Sequence, residues 1–182
     1  MTSALQSLAA VEARDAYTAG HSRRVCRVAI AIGEKLELDP RELDALSDAA
    51  LFHDVGKLSI PDEILLKPAR LTDDEWKLMR SHSAVGARMV GERGAFEHSV
   101  RAIRHHHERY DGGGYPDGLA GEEIPLAARI IHVADALDSM LTTRIYRPGR
   151  PARAALAELR REEASLEDVF RQLTTDEPPT HA

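Results

Sequence analysis

Pro40-Arg-Glu-Leu-Asp-Ala-Leu-Ser-Asp-Ala-Ala-Leu-Phe-His53-Asp54-Val-Gly56 is the stretch that decides how this chain folds. Proline stands at the favoured first-turn position of a helix, where its missing N–H is not needed and its fixed φ already suits the helix. Leu43, Leu46, Ala50 and Leu51 recur at helical spacing and predict one buried face. Gly56 then breaks the pattern. The segment is thus an amphipathic helix that delivers an imidazole and a carboxylate, His53 and Asp54, at its end.

Working outward, the same signals repeat. Upstream, Leu5 to Arg14 reads as a helix, and a polar joint from Asp15 to Gly20 leads into a second one from about His21 to Leu36, with Val25, Val28, Ala29 and Ile32 on one face. Downstream, Ile60 to Pro68 reads as a connector with room for one helical turn. Thr72 and Glu75 form a capping box before a helix expected to run to about Val90 and to contain His82. A helix from about Phe96 ends in His105-His106-His107, and Ile124-Pro125 opens a long apolar helix from Leu126 to Leu141 that carries Asp135 and Asp138. Shorter helices fit Arg153 to Arg161 and Leu166 to Leu173. No segment alternates with period two, no repeat appears and no linker divides the chain. The expected architecture is all-α: one helical domain over residues 1–173, of roughly seven to nine helices, with a frayed tail over 174–182.

Composition agrees with one domain and excludes several functions. The chain has 182 residues, 43% hydrophobic and 30% charged, with only 4% aromatic, so its core must be built from Leu, Ala, Val and Ile. A net charge of -6 without a Lys/Arg stripe argues against a DNA-binding protein. Cys26 is the single cysteine; it excludes an internal disulfide and reads as a small buried core residue. No apolar run is long enough to span a bilayer and no signal pattern opens the chain, so the expected location is cytoplasmic.

Function is written most densely in His106-His-Glu-Arg-Tyr-Asp-Gly-Gly-Gly-Tyr-Pro116. Two adjacent imidazoles, two carboxylates and a glycine-rich turn suit a site where backbone must approach a bound group. His21, His53, Asp54, His82, His106, His107 and Asp135 lie at helix ends or on faces that could converge. Taken singly most have plain readings: His53-Asp54 as a helix-end hydrogen-bonding pair, His21 as a turn residue, His82 as part of a polar face. Asp135 stands out, because a carboxylate beside the apolar run Ile130 to Ala134 needs a cation or strong donor nearby. His98, His105, His132 and His181 read as structural or solvent-facing. Imidazole nitrogens mixed with carboxylate oxygens suit iron, manganese or zinc. Seven ligands are too many for one ion, whereas two bridged ions about 3.5–4 Å apart would use them and are a common device for displacement at phosphorus.

With these residues in view, the chain resembles an HD-GYP domain, the bacterial branch of the HD phosphohydrolase superfamily associated with cyclic di-GMP breakdown. The likeness runs from Asp15-Ala-Tyr-Thr-Ala-Gly-His21-Ser through His53-Asp54-Val-Gly-Lys57, Ile60-Pro61, Lys67-Pro68, Leu71-Thr72 and His82. It continues through the His106 to Pro116 signature, Ile124-Pro125 and Asp135 to Arg144-Ile-Tyr-Arg147. It implies a helical HD bundle with a Gly-Tyr-Pro loop, and two divalent ions held by His21, His53, Asp54, His82, His106, His107 and Asp135, with Asp54 bridging. Iron or manganese is expected ahead of zinc, nickel or magnesium. Lys57 resembles the lysine that reaches a substrate phosphate, Arg144 and Arg147 resemble residues that hold the second phosphate, and Tyr115 resembles one that lines the pocket.

The implied reaction is attack by a metal-bridging hydroxide on cyclic di-GMP, giving linear pGpG and, in some members, GMP. Water or Asp111 are candidates for protonating the leaving oxygen. Implied partners are the cyclic dinucleotide and a diguanylate cyclase or separate sensor protein; a homodimer is permitted, though no heptad seam demands one. The chain departs from the family in two places. Tyr17 stands four residues before His21, where members thought to hold a third ion carry Glu. The segment Arg160 to Leu173 lacks the usual Gly and Phe-Asp-Pro, so its last helix is expected to pack differently. Rival readings are an HD phosphohydrolase for another nucleotide, opposed by the complete Gly-Tyr-Pro signature, and a non-catalytic signalling module, opposed by the complete ligand set.

Overall fold

The computed structural model describes residues 20–92 and 97–142, with residues 10, 13, 149, 151–155 and 157. The expected first helix falls largely outside these residues. Arg144, Arg147, Tyr17, the two C-terminal helices and the tail fall outside them as well, apart from positions 153–155 and 157.

Among the described residues every regular element is a helix. Helix α1 (His21–Lys35) and α2 (Pro40–Phe52) are followed by a tight 3-10 turn at Val55–Ser59 and a one-turn helix α3 (Asp62–Leu65). Then come α4 (Asp73–Arg80), α5 (His82–Gly91), α6 (Glu97–His105), a short 3-10 turn at Gly121–Glu123 and α7 (Leu126–Leu141). No described residue is in a strand. Helix α2 starts as its sequence requires: the Asp39 side chain accepts from Arg41 and Glu42 N–H, and Glu42 reaches back to Asp39 N–H. Its buried face is Ala45, Leu46, Ala49 and Ala50, while Leu43 and Leu51 are only partly buried.

Helix α7 is the axis of the domain. Ala128, Ile130, Ile131, Val133, Ala134 and Met140 are all buried, a breadth of apolar surface that fits a helix enclosed by others. It packs against α1 and α6, α1 packs on α2, and α2 on α6. Cys26 is partly buried beside the core, with its thiol 3.6 Å from the Ser47 hydroxyl, rather than fully within it.

One expected helix is two. The segment from Thr72 to Val90 begins with its capping box but divides at Ser81. Ser81 Oγ, His82 Nδ1 and Ser83 Oγ take the carbonyls of Leu78, Met79 and Arg80 at 2.7, 2.7 and 3.4 Å. Three consecutive side chains competing for the acceptors of the helix ladder end α4 and let α5 restart in a new direction. No helix among the described residues is long and apolar enough to cross a membrane.

Candidate metal centre

Three histidines from three different helix ends adopt one arrangement. His53, His82 and His106 each donate Nδ1–H to the carbonyl three residues back, of Ala50 (2.8 Å), Met79 (2.7 Å) and Ile103 (2.7 Å). That bond fixes the tautomer and leaves Nε2 as a lone pair. All three Nε2 atoms are buried without a hydrogen-bond partner. Buried acceptors without donors are costly and rare, so three converging on one place indicate a group that accepts nitrogen lone pairs.

Asp54 lies between them. Its Oδ1 is 3.5 Å from His82 Nε2 and its Oδ2 is 3.5 Å from His53 Nε2. Two ligand-atom clusters result, one of Asp54, His82, His106 and His107 and one of His21, His53 and Asp54, and the carboxylate is common to both. A single glycine permits this approach. A Cβ on Gly56 would collide with the His82 carbonyl and the Gly86 backbone, so only glycine lets the turn after Asp54 meet the first turn of α5.

The charges are arranged for a cation. Burial and the neighbouring imidazoles hold His106 and His107 well below the ordinary histidine range; burial also lowers His82. These rings are therefore neutral bases at physiological pH. Burial alone would raise Asp54, but the Lys57 ammonium, 2.6 Å from Oδ2, and the surrounding imidazoles bring its carboxyl well below the usual range. Lys57 thus rests on the shared carboxylate.

His21 behaves differently. Its Nδ1 donates to Asp138 Oδ2 at 2.7 Å and its Nε2 lies 3.2 Å from Asp135 Oδ1. Burial opposes the charge, yet the two carboxylates raise His21 to about 9, and Asp135 is lowered to about 2. The proton on His21 Nε2 occupies the place a cation would take between imidazole and Asp135. The donor set, neutral imidazoles with ionised carboxylates, fits divalent metal ions.

The glycine-rich loop folds back over this centre. Tyr115 N–H donates to the His107 carbonyl at 3.2 Å, and the Tyr115 ring stacks on the His107 imidazole at 4.8 Å. Gly114 passes so close to the Glu108 and Arg109 backbone that no Cβ could be accommodated. Tyr115 and Pro116 are joined by a cis peptide. Burial and the charge on Asp54 push the Tyr115 phenol upward, so it stays neutral. Asp111 is exposed and bound by Arg109 at 2.6 Å, which with the Gly113 N–H lowers its carboxyl to about 2.

The family model described as the HD domain matches residues 7–168. The chain belongs to the HD domain family. This HD domain is 44% identical over 162 residues to the cyclic di-GMP phosphodiesterase response regulator RpfG of Xanthomonas campestris pv. campestris, covering 87% of this chain and 43% of that protein. It is 40% identical over 147 residues to the 3'3'-cGAMP-specific phosphodiesterase 3 of Vibrio cholerae, covering 81% and 32%. Among solved structures, Bd1817, an HDG"Y"P protein from Bdellovibrio bacteriovorus, matches with a TM-score of 0.65 at 24% identity, over 94% of this chain and 57% of that one, which shows a shared fold. The chain spans less than half the length of these two curated relatives.

Within the HD domain, several residues that position the centre escaped the sequence reading. Asp138 orients His21 and is itself held by Arg24 at 2.6 Å. His132, read only as structural or solvent-facing, donates to the His106 carbonyl at 2.9 Å. Glu108 is buried and accepts the N–H groups of Asp117 and Gly118 at 2.7 and 3.1 Å, tying the far side of the loop to the end of α6. The signal for Asp138 was present, since a second carboxylate three residues after Asp135 shares its helix face.

Proposed function

We propose that this HD domain is a metal-dependent phosphodiesterase that opens cyclic di-GMP to linear pGpG, and to GMP where the second linkage is also cut. The observation that carries the reading is Asp54, which presents one oxygen to each of two sets of imidazoles. Similarity to relatives named as cyclic dinucleotide phosphodiesterases supports the substrate class.

In this reading His21, His53 and Asp135 would hold one ion, His82, His106 and His107 the other, and Asp54 would serve both. Two divalent ions, iron or manganese by resemblance to the HD-GYP family, would supply a hydroxide at neutral pH and neutralise charge on the phosphoryl oxygens. Lys57 is placed to follow that charge: its ammonium sits on Asp54 and can transfer to a phosphate oxygen arriving at the same point. Tyr115 lines the mouth of the centre and limits water access from the loop side. Arg144 and Arg147, by resemblance, hold the second phosphate, and water protonates the leaving oxygen. A diguanylate cyclase, a separate sensor and a second copy of the chain are the partners this role implies.

Similarity to the 3'3'-cGAMP-specific enzyme favours a second substrate, the mixed dinucleotide, at the same site. The deciding experiment is metal analysis of anaerobically purified protein, followed by incubation with either dinucleotide and separation of the products. About two ions per chain with pGpG or GMP from cyclic di-GMP supports the reading. Metal-loaded protein that leaves both dinucleotides intact overturns it.

A further inference from the structure

A ladder of rings leads outward from the centre and contains a cation. The Arg80 guanidinium carbon lies 5.4 Å from the centroid of the Tyr115 ring and 5.7 Å from that of Trp76. Trp76 is one turn earlier on α4, the spacing at which helix side chains meet. Tyr115 in turn stacks on His107, with rings 26° apart. Trp76, Arg80, Tyr115 and His107 therefore run in order from solvent to the candidate metal ligands.

Two features of this ladder suit a ligand better than a fold. The two cations beside the candidate centre rest on carboxylates, Lys57 on Asp54 and Arg24 on Asp138. No carboxylate among the described residues pairs with Arg80 in this way, and it is exposed. Trp76, the only tryptophan of the chain, is 45% exposed. The Arg80 guanidinium thus lies within cation–π range of two rings, one of them an open indole, and keeps its N–H groups exposed to solvent.

We propose that Arg80, held between Trp76 and Tyr115, reads a purine base of the substrate and selects guanine. The inference rests on the cyclic dinucleotide reading above. Guanidinium offers donors only. Guanine presents two acceptors, O6 and N7, on one edge, whereas adenine presents N7 and the N6 donor, which would face the arginine donor to donor. The position also fits a base: in the proposed reading the phosphorus under attack would lie at Asp54, and Arg80 stands two ring contacts out from that cluster, through Tyr115 and His107. The exposed Trp76 ring supplies a stacking surface. A site for phosphate charge alone would be served equally by lysine, which lacks the planar fork.

The test is binding of hydrolysis-resistant phosphorothioate analogues of cyclic di-GMP, 3'3'-cGAMP and cyclic di-AMP to the metal-loaded full chain. Trp76 fluorescence reports occupancy, and calorimetry gives each Kd. Wild type should prefer guanine. Arg80→Ala should weaken cyclic di-GMP by roughly ten- to a hundredfold and cyclic di-AMP by less than about threefold. Arg80→Lys, which keeps the charge, should fail to restore the preference. Unchanged metal content and melting temperature would show that both variants fold. Equal weakening of all three ligands, recovery of the preference by lysine, or no change at all would overturn the inference. Wild type that binds none of the three would overturn the dinucleotide reading itself, a result separate from any change of preference.

Discussion

Asp138 Oδ2 lies 2.7 Å from His21 Nδ1, a contact that joins the first turn of α1 to the last turns of α7 across 117 residues of sequence. The carboxylate does for His21 what backbone carbonyls do for His53, His82 and His106: it takes the Nδ1 proton and aims Nε2 inward. The difference is charge. A carboxylate makes its imidazole more basic, so the two sets of candidate ligands are tuned unequally around one shared Asp54.

Asp138→Asn should therefore weaken metal binding without unfolding the domain. The asparagine keeps the shape of the contact but removes the charge that orients His21 and pairs with Arg24. A loss of about ten- to a hundredfold in metal affinity is expected, measured by competition with a chelator. Unchanged affinity would mean that the His21 position does not depend on Asp138.

Gly56→Ala should be among the most damaging small substitutions. The added methyl has no room against the His82 carbonyl and the Gly86 backbone, and none of these atoms can rotate away. Forcing the turn off α5 should cost about 2–3 kcal/mol or more, roughly 4–12 °C in melting temperature. It should also move Asp54 away from His82, so metal content should fall alongside stability in the same preparation.

How far the sequence told this story depends on where each signal is stored. Helices α2 and α7 were legible because capping residues, proline and apolar spacing are local. The residues of the candidate centre were legible as a group because imidazoles and carboxylates at helix ends have few structural uses together. The break at Ser81 was hidden, since the competition of Ser81, His82 and Ser83 for carbonyls depends on rotamers rather than on composition. Asp138, His132 and Glu108 act on partners that only tertiary packing brings near, and the Arg80 ladder depends on how the Gly-Tyr-Pro loop folds back.

The raised pKa of His21 predicts how metal-free protein responds to alkali. Its folded-state value of about 9 lies above the ordinary 6.5, so the protonated ring stabilises the fold fully below about 6.5, and that contribution is lost as pH rises through about 9. In chelator, stability should fall between about pH 7 and 9.5, by up to about 3 kcal/mol. A metal ion held by His21 and Asp135 would displace that proton, and the alkaline decline should flatten. Melting temperatures across this range, with and without metal, check both statements; parallel curves would contradict them.

Asp54 makes the sharpest claim, because its two oxygens face different histidines. If the carboxylate serves both ions, Asp54→Ala should empty both positions, whereas His107→Ala should disturb only the set built on His82 and His106 and leave about one ion per chain. Turnover should vanish in both variants, so activity alone cannot separate them, and metal content must be measured. The alanine at position 54 also leaves the Lys57 ammonium without its 2.6 Å partner, adding repulsion to any cation that remains. Retention of two ions by Asp54→Ala would mean that the imidazole clusters bind independently and that the carboxylate between them is not a bridge.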